Sequence, residues 1–213
     1  MWRELQISGN GVWLSKAIAN RCCIAVTDGS YMKEIHPTLN LAAFVIECQL
    51  GRGRLMGSFV EDTPENCSYR GELLGVMAIH LVCLAVNELH PDLRGSILIY
   101  SDCKGALHKV KHLPPYQIPS RCSHPDILKN IMINCSNLTF TLEYLHVKAH
   151  QDDRAAYREL SRPSQLNCQM DYYAKKAIWE HENGARGETQ QFPLEPISII
   201  VGHRKLALPR VEK

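Results

Sequence analysis

With 213 residues, 45% of them hydrophobic, the chain is long enough for one well-buried core and short for two full domains. Charged residues make up 22% and the formal net charge is +2, so bulk electrostatics neither demands nor forbids a polyanionic partner, which local basic patches and metal ions would have to hold. Nine scattered cysteines, an odd number without a C-x-x-C pair, fit neither a disulfide framework nor a zinc module, and read as thiols without disulfide partners in a reducing, intracellular setting.

The opening "MWRELQISGNGVWLSKAIAN" lacks the basic-then-apolar order of a secretory signal. A β-type run over 21–27 then ends directly on Asp28, followed by Gly29 and Ser30. A second run, "LAAFVIECQ" (41–49), is joined by "GRGR" (51–54) to a third, "LMGSFVE", which predicts three neighbouring strands with at least one hairpin. From Ser68, a candidate cap, to about Leu89 runs a helix that is apolar around its whole circumference, interrupted by His80 and closed by Asn87 and Glu88. That pattern predicts a buried central helix rather than a membrane span.

The apolar strand "GSILIYSD" also finishes on an acid, Asp102. A short helix over 103–111, a proline-broken loop "LPPYQIPS" and an amphipathic helix in "HPDILKNIMINC", with Ile127, Ile131 and Cys135 at helical spacing, come next. The strand "LTFTLEYLHV" precedes "KAHQDD", a polar connector over 154–163, and a last helix marked by Pro163 and Ser164, with an apolar stripe of Leu166, Met170, Ala174, Ala177 and Ile178. Toward the end, "ISIIVGHRKLALPRV" has the pattern of a small hairpin. The order predicts an α/β fold: a mixed sheet, antiparallel hairpin first and parallel crossovers after, flanked by helices.

Four acids interrupt apolar elements: Asp28, Glu72, Asp102 and Asp171. Each has an ordinary explanation alone, as a turn residue, a helix-dipole partner, a helix cap or part of an exposed face beside Lys175. As a set they converge if the first and fourth strands are adjacent and parallel, because both strand-end acids then sit at the carboxyl edge where open α/β sheets bind ligands. Converging carboxylates repel unless a cation neutralises them, and an all-oxygen set suits hard ions such as Mg²⁺ or Mn²⁺.

In sequence order, "TDGSY", "YRGELLGVMAI", "IYSDCKGAL", "VKAHQDD" and "NCQMDYYAKKA" resemble the successive motifs of ribonuclease H of type 1, over residues 21 to about 180. "SYRGEL", "HVKAHQDD" and "QLNCQMD" are more similar to the ribonuclease H domains of retroelement polyproteins than to cellular enzymes. The resemblance implies a ribonuclease H-like fold with a five-stranded mixed sheet over 21–182, an N-terminal linker extension (1–20) and a C-terminal extension (183–213). It implies a metal-dependent endonuclease that cuts the RNA strand of an RNA/DNA hybrid, beside a reverse transcriptase domain of the same polyprotein. Carried over by motif, Asp28, Glu72, Asp102 and Asp171 would hold two Mg²⁺ ions, for which Mn²⁺ can substitute, and His150 would aid proton transfer or product release. Gly29, Ser30, Ser68, Tyr69, Arg70 and Asn167 fall at substrate-binding positions. Cys168 stands where the family usually has glutamate, and Ser68 and Tyr69 replace its amide side chains. Lys104, Lys109, Lys111, His112, Arg121 and Lys129 are either phosphate contacts for the DNA strand or a solvated surface. Two other readings stay open, a non-catalytic module of the same fold and a nuclease of the same superfamily acting on DNA.

Overall fold

The computed structural model describes residues 5–63, 67–112 and 122–184 in full, and the backbone of 199–201 and 204–206. The central sheet holds β1 (Gln6–Ile7), β2 (Cys23–Ser30), β3 (Leu39–Cys48), β4 (Arg54–Asp62), β5 (Ser96–Ser101) and β6 (Thr141–His146), in the order β1-β4-β3-β2-β5-β6. The helices are α1 (Val12–Ala19), α2 (Ser68–Leu89), α3 (Lys104–His112), α4 (Pro125–Ser136) and α5 (Arg162–Glu182). The pairs β2/β3 and β3/β4 are antiparallel, whereas β2/β5 and β5/β6 are parallel. A separate antiparallel ladder joins β7 (Ile199–Val201) to β8 (Arg204–Leu206). The loop 113–120 and Arg121 lie outside the described residues.

Alternation along the strands sorts side chains onto two faces. Ala25 of β2, Phe44 and Ile46 of β3 and Ile97 and Ile99 of β5 pack with α1, α2, α4 and part of α3. On the opposite face Ile24, Val26, Ala43 and Val45 meet Leu166, Met170 and Ala174 of α5. Asp28 shares the parity of Ile24 and Val26 and therefore lies on the α5 side. The long apolar helix α2 is the one described helix long and apolar enough to cross a membrane, and 72% of its most apolar window is buried within the protein. His80, which interrupts that helix, is enclosed between Val76 O and the Tyr144 hydroxyl, each 2.7 Å from a ring nitrogen.

Three features depart from the expectations. Residues 6–19, read as part of a linker, form β1 and α1: β1 extends the sheet to six strands by pairing with β4, and Leu14, Ala17 and Ile18 of α1 are buried. This covers the β4 edge, which would otherwise expose unpaired backbone groups. Cys67, not Ser68, is the N-cap of α2 and makes no side-chain cap bond. At α5 the cap is Ser161, whose hydroxyl accepts the Ser164 amide at 3.4 Å, with Pro163 in the first turn.

Arg70, assigned by motif to substrate binding, is instead enclosed, with its side chain 0% exposed. Its Nε and one terminal nitrogen donate to the two oxygens of Glu61 on β4 at 2.7 and 2.8 Å, and the same terminal nitrogen reaches Asp126 of α4 at 2.9 Å. One guanidinium thus ties α2, β4 and α4 together, a geometry that the single ammonium of lysine cannot reproduce. Arg70→Met is expected to lower the unfolding free energy by about 3–5 kcal/mol, because it strands a buried carboxylate. Urea denaturation of the variant and of Arg70→Lys checks this; a loss under about 1 kcal/mol in both would show the ion pair to be dispensable.

Candidate active site

The parallel β2/β5 register pairs Val26 with Tyr100, so Asp28 and Asp102 each follow the last paired residue by two positions. Glu72 arrives from the second turn of α2, not the first as the sequence suggests, on the other side of the sheet, and reaches past the last β2/β5 pair. Carboxylate oxygens of Asp28, Glu72 and Asp102 lie within 4.8 Å of one another. Gly29 makes this approach sterically feasible, because a Cβ there would sit 2.2 Å from the Glu72 backbone nitrogen. The Gly29 amide then donates to Glu72 Oε1 at 3.1 Å and the Ser101 hydroxyl donates to Oε2 at 3.2 Å, which fixes the carboxylate.

These three acids open onto a cavity of about 190 Å³ that Asp171, Asn167 and Cys168 of α5 also line, together with His150 and Asp152 from the β6–α5 connection. Asn167 is 2% exposed, and its buried side-chain nitrogen has no hydrogen-bond partner among the described residues. Asp171 forms an ion pair with Lys175 at 2.7 Å. His150 is exposed and adopts a left-handed backbone (φ 47°) at the start of a 3-10 turn, Gln151–Asp153. Of the other residues assigned by motif, Gly29 lines the cavity, whereas Ser30, Ser68, Tyr69 and Arg70 do not. Ser30 is buried on β2, Ser68 is exposed, and Tyr69 is half-buried against His124. Lys104, Lys111, His112 and Lys129 are exposed on α3 and α4, and Lys109 is partly so.

The electrostatics follow from this crowding. Burial, then the charges of Asp102 and Asp171, push the Asp28 carboxyl up to about 8, with Lys175 opposing. Burial and the neighbouring Asp28 and Asp102 raise Glu72 well above the ordinary carboxylate range, against the two hydrogen bonds that favour its charged form. Asp102 is raised by burial and Asp171, while His150 and His146 pull it down. Sequence reasoning passed over His146 and Asp152. The first ends β6 beside Ser101 and the second stands in "KAHQDD", and neither position stands out before the strands are paired.

A set of oxygen donors that repel one another and cannot all ionise without a counter-charge fits a hard divalent cation such as Mg²⁺ or Mn²⁺. Asp28, Glu72 and Asp102 are the residues that would hold it, with Asp171 at the rim of the same cavity.

A pH dependence follows for the cation-free protein. A carboxyl raised from its ordinary 3.8 to about 8 binds its proton more tightly in the folded chain. Its contribution to stability is therefore complete at acid pH and is lost as pH rises through about 8. In chelator, Asp28→Asn is expected to raise Tm at pH 8 by about 2–4 °C per kcal/mol of repulsion relieved, with a smaller gain at pH 6. Thermal melts at the two pH values check the sign; a destabilised variant at pH 8 would contradict it.

No protein-family model and no curated protein matches the chain. Solved structures do. LC11-RNase H1, isolated from compost by a metagenomic approach and solved in complex with RNA/DNA hybrid, is 12% identical with a TM-score of 0.54, over 75% of this chain and 99% of that one. The RNase H domain of PFV is 15% identical with a TM-score of 0.52, over 74% and 94%. The foamy viral protease-reverse transcriptase in complex with RNA/DNA hybrid is 14% identical with a TM-score of 0.56, over 76% of this chain but 20% of that one. With the sheet order, the flanking helices and the strand-end acids in place, these similarities establish that the chain has a ribonuclease H-like fold.

Proposed function

We propose that the protein is a metal-dependent endonuclease that hydrolyses the RNA strand of RNA/DNA hybrids. The observation that carries this reading is the convergence of Asp28, Glu72 and Asp102 at the carboxyl edge of β2 and β5, with Asp171 completing the cleft from α5. Cations held there would supply positive charge to the scissile phosphate and a nucleophilic hydroxide at neutral pH.

The chain's own residues have distinct tasks. Asp28 sits on a rigid strand, and the Gly29 amide and Ser101 hydroxyl fix Glu72, so the ligand set is preorganised. Lys175 neutralises Asp171 at the rim and holds its side chain in position. The Asn167 side-chain nitrogen, without a partner among the described residues, is a donor for a substrate oxygen, with the ribose 2′-hydroxyl as the feature that separates RNA from DNA. Hydrolysis joins a water oxygen to phosphorus and breaks the P–O3′ bond, and His150, exposed at the cleft mouth on the β6–α5 connection, delivers a proton to the departing 3′ oxygen. The products are a 5′-phosphate and a 3′-hydroxyl. The "SYRGEL" and "QLNCQMD" variants support assignment to a retroelement polyprotein, where a reverse transcriptase domain would present the hybrid.

Cleavage of a labelled hybrid in Mg²⁺, with double-stranded DNA, double-stranded RNA and single-stranded RNA as controls, tests the proposal. Only the hybrid's RNA strand is expected to be cut. Asp102→Asn is expected to reduce the rate by more than about 100-fold, beyond what loss of a ligand's supporting contact costs. His150→Ala is expected to reduce it by about 100-fold, the low end for general acid-base catalysis. Ca²⁺ is expected not to support turnover, because its coordination geometry is too loose. Equal cutting of double-stranded DNA, or full turnover in Ca²⁺, would refute the reading.

A further inference from the structure

Beside the cleft lies a second cavity of about 540 Å³, within the size range of small-ligand sites. Its walls are Arg54 and Met56 of β4, Tyr157 of the β6–α5 connection, and Gln169, Tyr172 and Tyr173 of α5. Asp152 and Cys168 line both this groove and the acidic cleft, so the two spaces share a lip.

The groove is a built feature. The connection folds back on α5 because the Gln165 side-chain amide donates to the carbonyls of Tyr157 and Leu160 at 3.2 and 3.1 Å. Gln169 bridges the two sides: its oxygen accepts from Arg54 at 2.6 Å and its nitrogen donates to the Tyr157 hydroxyl. Tyr157 is therefore anchored at its hydroxyl yet 42% exposed, and Tyr172 is 61% exposed beside Tyr173, whose ring lies 5.4 Å away and edge-on. The buried Arg54 Nε has no hydrogen-bond partner among the described residues.

Exposed tyrosine rings next to an arginine suit a planar base joined to a phosphate, since every base has a face to stack and guanidinium pairs well with phosphate oxygens. The Asp152 carboxylate at the lip disfavours phosphate there but accepts a hydrogen bond from a 2′-hydroxyl, which only RNA offers. Continuity with the cleft identifies the strand, because the strand that enters the cleft in the proposed reaction is RNA. We propose that this groove is a subsite for unpaired RNA, in which a nucleotide running beyond the paired region of the hybrid stacks on Tyr172 and Tyr157 near Arg54. The inference rests on the hybrid-cleavage reading for the identity of the strand.

The test uses the full chain carrying Asp28→Asn, in Mg²⁺, and measures Kd by fluorescence anisotropy for a flush-ended hybrid and for hybrids with a short unpaired RNA extension, or a DNA extension of the same length, at either end. An RNA extension is expected to tighten binding by about tenfold at one end, the scale of one stacked base. Adding Tyr172→Ala is expected to remove that gain, and Tyr172→Phe to keep it. No gain from either extension, an equal gain from a DNA extension, or a gain that survives Tyr172→Ala would overturn the assignment. Failure of the cleavage reading is separately visible, as a wild-type chain that cuts no hybrid. In that event, binding of a single-stranded RNA oligonucleotide that depends on Tyr172 still supports the groove, and its absence overturns the groove as well.

Discussion

Three carboxylate groups with oxygens within 4.8 Å of one another, two of them buried, repel strongly, and most of the architecture serves to bring them together in spite of that. The parallel pairing of β2 with β5 places two of them side by side, each two residues past the last pair of the two strands. The third needs a helix to approach the end of the sheet more closely than any side chain at position 29 would permit, which is why Gly29 stands between Asp28 and the Gly71–Glu72 backbone of α2. The same close approach recurs about one turn further along α2, where a Cβ on Gly75 would fall 1.8 Å from Thr27 Oγ1. Close seating of α2 on β2 is therefore a condition of the site as well as of the core.

That seating is held from behind. Arg70 precedes Glu72 by two residues and is clamped by Glu61 and Asp126, so the start of α2 is fixed to β4 and α4 just ahead of the point where the Glu72 carboxylate must project forward. A buried ion pair is weak evidence of net stabilisation, but it defines one geometry well. Stability and function are coupled here through two residues of one turn, one facing the core and the other the cleft.

Much of this was legible in the sequence. Apolar runs that ended on Asp28 and Asp102 marked two strands, although β2 continues through Gly29 and Ser30 in its pairing with β3, and the apolar circumference of 68–89 marked α2 as internal, because burial imposes those patterns locally. What stayed hidden depended on partners distant in the chain. Residues 6–7 form too short a strand to show periodicity, and only pairing with Leu55 and Met56 defines it. Arg70 carried a motif position but not its partners, since Glu61 and Asp126 reach it through the tertiary fold. The tyrosines of "DYY" were ordinary helix residues until the connection bearing Tyr157 folded back beside them. His146 and Asp152 likewise acquire meaning only once β6 lies next to β5.

A cation that relieves the repulsion binds the folded chain and not the unfolded one, so it must raise stability by mass action. The most direct measurement is thermal unfolding near pH 8 as Mg²⁺ is titrated from chelator upward, for the wild type and for Asp28→Asn. The wild-type Tm is expected to climb by about 5–10 °C at a hundredfold excess over Kd, with most of that gain lost in the variant. A wild-type Tm that stays constant across the titration, or rises equally in Asp28→Asn, would contradict a site organised around a cation.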